Sequence, residues 1–158
     1  MHPDQGRFAT LLEAHKGIVY KVCRAYCPTT DQLEDLAQEV TLQLWRSFAS
    51  FDESRCKFST WMYRVALNTA ISHHRSRRRV PEAIPITFEI GAAPDTESVE
   101  VRMLYAFIER IDPLNRALLL LYLDGNSHQE TAAVLGIGES NVATKLARLK
   151  QRMKEELR

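Results

Sequence analysis

Long apolar runs are missing from this 158-residue chain. The longest near its centre, residues 117–123, spans seven positions, far short of the roughly 20 needed to cross a bilayer. No membrane insertion is expected. The amino terminus, MHPDQGRFATLLEAHKG, lacks the charged-then-apolar pattern and small-residue cleavage site of a secretory signal, so a cytoplasmic location is expected. Cysteine is scarce too, and its odd count of three argues against a disulfide framework. No CxxC pair, Walker loop, Rossmann glycine pattern, nucleophile elbow or HExxH helix occurs, and the carboxylates are scattered. Nothing supports enzyme chemistry, and no catalytic residue, cofactor or metal is expected. Cys23 and Cys27, four apart on one helix and with His73 and His74 elsewhere, offer metal-ligating atoms. Cys23, however, continues an apolar stripe, where free cysteine commonly acts as a small hydrophobe.

Charge is balanced overall, at a formal +1, but not locally. Residues 1–80 carry 12 basic and 8 acidic side chains, a net of +4. Residues 81–98 carry four acids and no base, and residues 99–158 carry nine bases and eight acids. The segment HHRSRRR, residues 73–79, concentrates six side chains able to be cationic. Basic groups at a helix end complement its dipole by only about 0.3–1 kcal/mol each, so an external polyanion explains the excess better. A basic patch on an otherwise balanced chain suits a site that meets phosphate.

With 45% apolar residues the chain can build ordinary cores, and their spacing is helical. Phe8, Leu11, Leu12, Ile18, Val19, Val22 and Tyr26 predict a helix over residues 6–27, ended by Pro28. Leu33, Leu36, Ala37, Val40, Leu44 and Phe48 predict a second, with Thr30 and Asp31 as cap candidates. The third starts near Phe58, buries Trp61, Met62, Val65, Ala66 and Ala70, and runs into the arginines. The stretch VPEAIPITFEIGAAPDTES, residues 80–98, has three prolines and no helical period and reads as a linker. Beyond it Val101, Leu104, Tyr105, Ile108 and Ile111 form one stripe, Pro113 opens another helix, and DGN breaks it. Ser127 and Glu130 have the spacing of a capping box, and Gly136 supplies a stop and Gly138 a turn. The last helix buries Val142, Leu146, Leu149 and Met153. No segment reads as a strand, so the expected fold is all-α, with two helices around a short glycine turn as a helix-turn-helix.

Burying that stripe leaves Ser140, Asn141, Thr144, Lys145 and Arg148 outward on the first turns of the last helix. These side chains suit base edges in a major groove: Asn pairs with adenine, Arg or Lys with guanine, and Thr offers a methyl or hydroxyl. An ordinary solvated face would show similar residues. The capped helix, the GIG turn and Ser127 at a helix start favour DNA.

Three stretches, DLAQEVTLQLWRSF, FDESRCKFSTWMYRVALNTAISHHR and SHQETAAVLGIGESNVATKLARLKQRM, resemble the two domains of bacterial extracytoplasmic-function sigma factors. The resemblance covers nearly the whole chain in order. It implies sigma domain 2, a three-to-four-helix bundle, at 1–80; a flexible linker at 81–98; and sigma domain 4 with its helix-turn-helix at 99–158. It further implies an alternative sigma factor that binds core RNA polymerase and directs promoter-specific initiation. In the family the second helix docks on the beta-prime clamp helices, which places Asp35, Gln38, Glu39, Leu42 and Arg46 at that contact. Domain 4 would meet the beta flap. Where family members often carry an aromatic this chain has Thr41.

The family holds a base flipped from the minus-ten non-template strand in the loop before the third helix. The matching positions here are Asp52, Arg55, Lys57, Phe58, Ser59, Thr60 and Trp61, with Arg64 and Asn68 one turn apart on the helix. His73, His74, Arg75, Arg77, Arg78 and Arg79 would grip upstream duplex phosphates. Ser127, Ser140, Asn141, Thr144, Lys145 and Arg148 would serve the minus-thirty-five element. An anti-sigma factor is an expected partner. Two other readings remain at this point. A stand-alone helix-turn-helix regulator would need only the last sixty or so residues and would bind DNA without polymerase, usually as a dimer. A helical adaptor would bind protein through the DLAQE face, with incidental basic patches.

Overall fold

Seven α-helices, one 3₁₀ turn and no strand are found among the described residues, 4–27, 29–76 and 97–157, of this computed structural model. The chain divides into two units, Met1–Ala92 and Ala93–Arg158. Among the described residues, no helix is long and apolar enough to cross a membrane.

In the first unit α1 (Gln5–Tyr26), α2 (Thr30–Ser47) and α3 (Phe58–Ser76) each pack on the other two. Leu12, Val19 and Val22 of α1, Leu36, Val40 and Leu44 of α2, and Met62, Ala66 and Ala70 of α3 are buried between them. The buried side of α3 is wider than its period suggested: Tyr63 and Leu67 are interior, whereas Val65 is half-buried. α1 and α3 run parallel, with His15 packed on Phe58 at 5.0 Å and Tyr26 near His74 at 6.4 Å between ring centroids. α2 is capped one residue earlier than expected. The extended backbone of Thr29 lets its hydroxyl accept from the Gln32 amide at 3.3 Å, while Thr30 and Asp31 are already helical. Pro28 lies outside the described residues.

In the second unit α4 (Val99–Glu109), α5 (Pro113–Leu123), α6 (His128–Leu135) and α7 (Glu139–Glu156) surround a core centred on Phe107, Ile108, Leu118, Leu119 and Leu121. Side chains settle most of the helix ends. Ser98 accepts from the Val101 amide and Asp112 from the Asn115 amide, and Pro113 takes the first position of α5, where its missing N–H leaves nothing unpaired. Arg116 donates to the carbonyl of Glu109, the last residue of α4, and to that of Ile111 just beyond it, both at 2.9 Å. The capping box is present: Glu130 N donates to Ser127 Oγ at 3.0 Å and Ser127 N to Glu130 Oε1 at 3.1 Å. Gly136, at φ +70°, turns the chain left-handed after α6, and α7 starts three residues on. The stripe expected on α4 is shifted, because Phe107 is fully buried while Val101 is exposed. Val142, Leu146 and Leu149 bury α7, whereas Met153 is half-buried.

Thr131 in α6 is fully buried, and its hydroxyl has no hydrogen-bond partner. Thr131→Val removes that unpaired group at nearly constant shape and should stabilise the second unit by about 1 kcal/mol. Gly136→Ala should have the opposite effect, about 1–2 kcal/mol, because it forces a Cβ into the left-handed region. Calorimetry of the full-length variants checks both signs. A lower melting point for Thr131→Val would show that the hydroxyl is bonded after all.

Candidate nucleic-acid interface

Five aromatic side chains gather where α1, the 3₁₀ turn (Phe48–Ser50) and α3 meet. Phe48 lies at their centre, 5.1 Å from Phe8, 6.1 Å from Phe51, 6.5 Å from Phe58 and 6.1 Å from Trp61 between centroids. Phe51, Phe58 and Trp61 also pack on one another at 5.2–5.4 Å. Trp61 is interior, as the period of α3 predicted. Phe58, Thr60 and Trp61 are at most 9% exposed, and Phe58 and Trp61 pack with Phe48 and Phe51 as a floor under the loop.

The loop above that floor is polar and turned tightly. Asp52 Oδ1 accepts from the amide and the hydroxyl of Ser54 at 3.0 and 2.6 Å, and the Arg55 amide donates to the Asp52 carbonyl at 3.0 Å. The Ser54 bonds, hydroxyl first, hold the Asp52 carboxyl below the usual carboxylate range, so it stays an acceptor near neutral pH. Asp52, Arg55 and Lys57 are exposed and Ser59 is half-buried. Beside the loop lies a cavity of about 420 Å³, lined in part by Arg7 and Thr10 of α1 and by Glu53, Cys56, Lys57 and Phe58.

Along α3, Arg64 and Asn68 are exposed on one face, and Ser72 and Arg75 continue the same row. His73 and His74 are half-buried rather than open: His74 packs by Tyr26, and Nδ1 of His73 is buried with no hydrogen-bond partner. Arg77, Arg78 and Arg79 lie outside the described residues. Cys23 and Cys27 are both buried at the end of α1. Burial, with Cys27 alongside, pushes the Cys23 thiol well above its ordinary range, which opposes the thiolate a metal needs.

On α2, Asp35, Gln38 and Arg46 are exposed and Glu39 is half-buried, accepting from Gln43 Nε2 at 3.2 Å. Leu42 departs from expectation. It is only 5% exposed, although it lies one helical turn from both Gln38 and Arg46 on the same side of α2; half-buried Gln43, one turn beyond Glu39, extends the polar row. Thr41 is interior as well, and its hydroxyl donates to the Ala37 carbonyl at 2.7 Å, so no unpaired group remains.

In the second unit Ser140, Asn141, Thr144 and Arg148 share the exposed side of α7, and Lys145 is half-buried beside them. Thr144 Oγ1 donates to the Ser140 carbonyl at 3.0 Å, leaving its methyl and the acceptor side of its hydroxyl for an outside contact. Lys150 Nζ sits 4.2 Å from the Tyr122 ring centroid and ties α7 to α5. Ser127 accepts the Glu130 amide but keeps its hydroxyl proton to donate.

This order of parts has known counterparts. The family described as Sigma-70 region 2 matches residues 11–80, and Sigma-70, region 4 matches residues 102–153. The ECF RNA polymerase sigma factor SigX of Bacillus subtilis (strain 168) is 30% identical over 149 residues, covering 87% of this chain and 76% of SigX. The chain belongs to the extracytoplasmic-function (ECF) sigma factors. A second relative of this sigma factor, SigW of the same organism, is 28% identical over 173 residues, covering 98% of this chain and 91% of SigW. The fold agrees with the sigma factor RpoE of Bartonella quintana, solved in complex with the anti-sigma factor NepR: TM-score 0.70 at 18% identity, covering 97% of this chain and 95% of that one. The protein is thus an alternative sigma factor that directs transcription. Its region 2 match spans most of α1 and all of α2 and α3, and its region 4 match falls on α4–α7.

The core placement of Leu42 separates two neighbours on α2. Leu42→Ala should lower stability by about 2–5 kcal/mol, whereas Gln38→Ala, on the surface, should stay within about 0.5 kcal/mol. Denaturant unfolding of both variants checks this. Equal, small losses would put Leu42 back on the surface.

Proposed function

We propose that this sigma factor divides its work among three surfaces. The α2 row Asp35, Gln38, Glu39 and Arg46, with Gln43 added and Leu42 removed, docks on the beta-prime clamp helices of core RNA polymerase. The loop 52–57 and the exposed row of α3, Arg64, Asn68, Ser72 and Arg75, hold and flank the unpaired non-template strand of the minus-ten element, with Phe58, Thr60 and Trp61 as their support. His73, His74 and, outside the described residues, Arg77 to Arg79 supply positive charge for upstream duplex phosphates. The α7 face Ser140, Asn141, Thr144, Lys145 and Arg148, with Ser127 on a phosphate, reads the minus-thirty-five element in the major groove, and the second unit also meets the beta flap.

The observation that carries this reading is the polar loop set on a buried aromatic floor beside an open cavity. Extruding a base costs a few kcal/mol, so a capture site must be shaped before the base arrives; an aromatic floor with a locally bonded turn above it meets that need. Residues 81–98 join the two readers, and linking two weak contacts turns the second into an intramolecular event. Free protein should therefore bind duplex promoter DNA poorly. The reading assigns no catalytic group and no cofactor, and places the protein in the cytoplasm with its polymerase. The RpoE structure contains an anti-sigma factor, which supports a similar inhibitor here.

Two sets of variants test these roles. Gln38→Ala with Glu39→Ala should weaken capture of core polymerase and leave the melting curve in place; unchanged capture would remove the docking assignment. Arg148→Ala should lower promoter affinity in holoenzyme. If Arg148 holds a base, discrimination at one position should fall by about 1–3 kcal/mol; if it holds a phosphate, affinity should fall evenly across sequences and the salt dependence should flatten. Unchanged promoter use by Arg148→Ala would withdraw α7 as the reader.

A further inference from the structure

The cavity beside the base-holding loop has one wall that none of the DNA contacts proposed above includes. That wall is the first two turns of α1, where Arg7 and Thr10 face Glu53, Cys56 and Lys57 across the opening. The two ends of the loop are fixed by the aromatic floor through Phe51 and Phe58. Its tip is shaped by bonds within the turn, from Ser54 and Arg55 to Asp52, and these hold the turn's form without fastening it to the helices. Arg7 does the fastening. Its Nη2 donates to Glu53 Oε2 at 3.2 Å, joining α1 to the tip across 46 positions of sequence. The Arg7 guanidinium carbon also lies 5.5 Å from the centroid of Phe48, so one side chain touches both the floor and the tip.

We propose that Arg7 and Glu53 form a latch that sets the opening between α1 and the loop, making Arg7 a positioning residue for capture of the unpaired minus-ten base. The proposal rests on the reading of loop 52–57 as the base holder. The pair is open to solvent, Arg7 being 49% and Glu53 79% exposed at the side chain, and such pairs add little to overall stability. Its effect is therefore on where the tip stands. Glu53 makes the idea distinctive: an acid on a loop that meets DNA repels phosphate, so without a latch its removal would help binding. With the latch, its removal hurts.

The test uses holoenzyme assembled from core polymerase and the full chain, on promoter duplex carrying a fluorescent base analogue in the minus-ten non-template strand. Glu53→Gln and Arg7→Met should each slow opening by up to about five-fold, the size of coupling that exposed ion pairs show. The double variant should be no slower than the worse single variant, and the exchange of charges, Arg7→Glu with Glu53→Arg, should recover speed. Melting curves of the variants should stay unchanged. Opening by Glu53→Gln as fast as wild type or faster would overturn the latch and make Arg7 at most a direct phosphate contact, as would multiplicative losses in the double variant. An abasic position in place of the flipped base separates the two levels. If wild-type holoenzyme is indifferent to it, the base-holding reading fails and the latch with it; if it is sensitive while the charge exchange recovers nothing, only the latch fails.

Discussion

Phe48 is the point on which the first unit turns. It sits where α2 gives way to the loop, and through it Phe8 of α1, Phe51 at the start of the loop, and Phe58 and Trp61 of α3 become one packed group. Each such ring pair adds about 0.5–1.5 kcal/mol beyond the apolar area it buries, and the pairs share members, so the group is cooperative. The consequence for function is geometric. A short polar loop has too few contacts to hold its own shape against water, but both ends of this loop emerge from a rigid aromatic base. The turn around Asp52 then needs only local hydrogen bonds to present a defined surface.

The second unit solves a different problem. A helix-turn-helix must hold its reading helix at one angle, and eight-residue α6 is too short to do so by propensity. End effects supply what length does not. The capping box at Ser127 and Glu130 starts α6, the left-handed Gly136 ends it, and burial of Val142, Leu146 and Leu149 presses α7 against the same core. The residues that face outward on α7 are then determined by the ones that face in.

Legibility in the sequence follows the same physics. Helix existence, the capping box, the glycine stop and the outward set on α7 were all readable, because each depends on residues within a few positions of one another. The family resemblance rested on motifs of that kind as well. Errors arose where several elements compete for one side chain. The burial of Phe58 was not readable, because nothing local shows that Phe48, Phe51 and Trp61 converge on it. Leu42 lies a turn from Gln38 and Arg46, opposite Leu36, Val40 and Leu44, so helical spacing alone could not show that it is buried. Tyr63, Leu67 and Phe107 were missed from the core for a related reason: a helix between two partners buries a wider arc than a single stripe. The contact between Arg7 and Glu53 spans 46 positions and left no trace in local pattern.

In the proposed function, promoter reading is divided between the two units. Its most direct test is transcript-start mapping from a randomised promoter library, using core polymerase with the wild-type chain and with the Asn141→Ala, Lys145→Ala variant. Wild type should yield starts downstream of a shared two-part motif, and the variant should lose preference in the upstream block while keeping the downstream one. Loss of both blocks together, or none, would contradict the division, and tight sequence-specific binding by the chain alone, without polymerase, would contradict the coupling of the two readers.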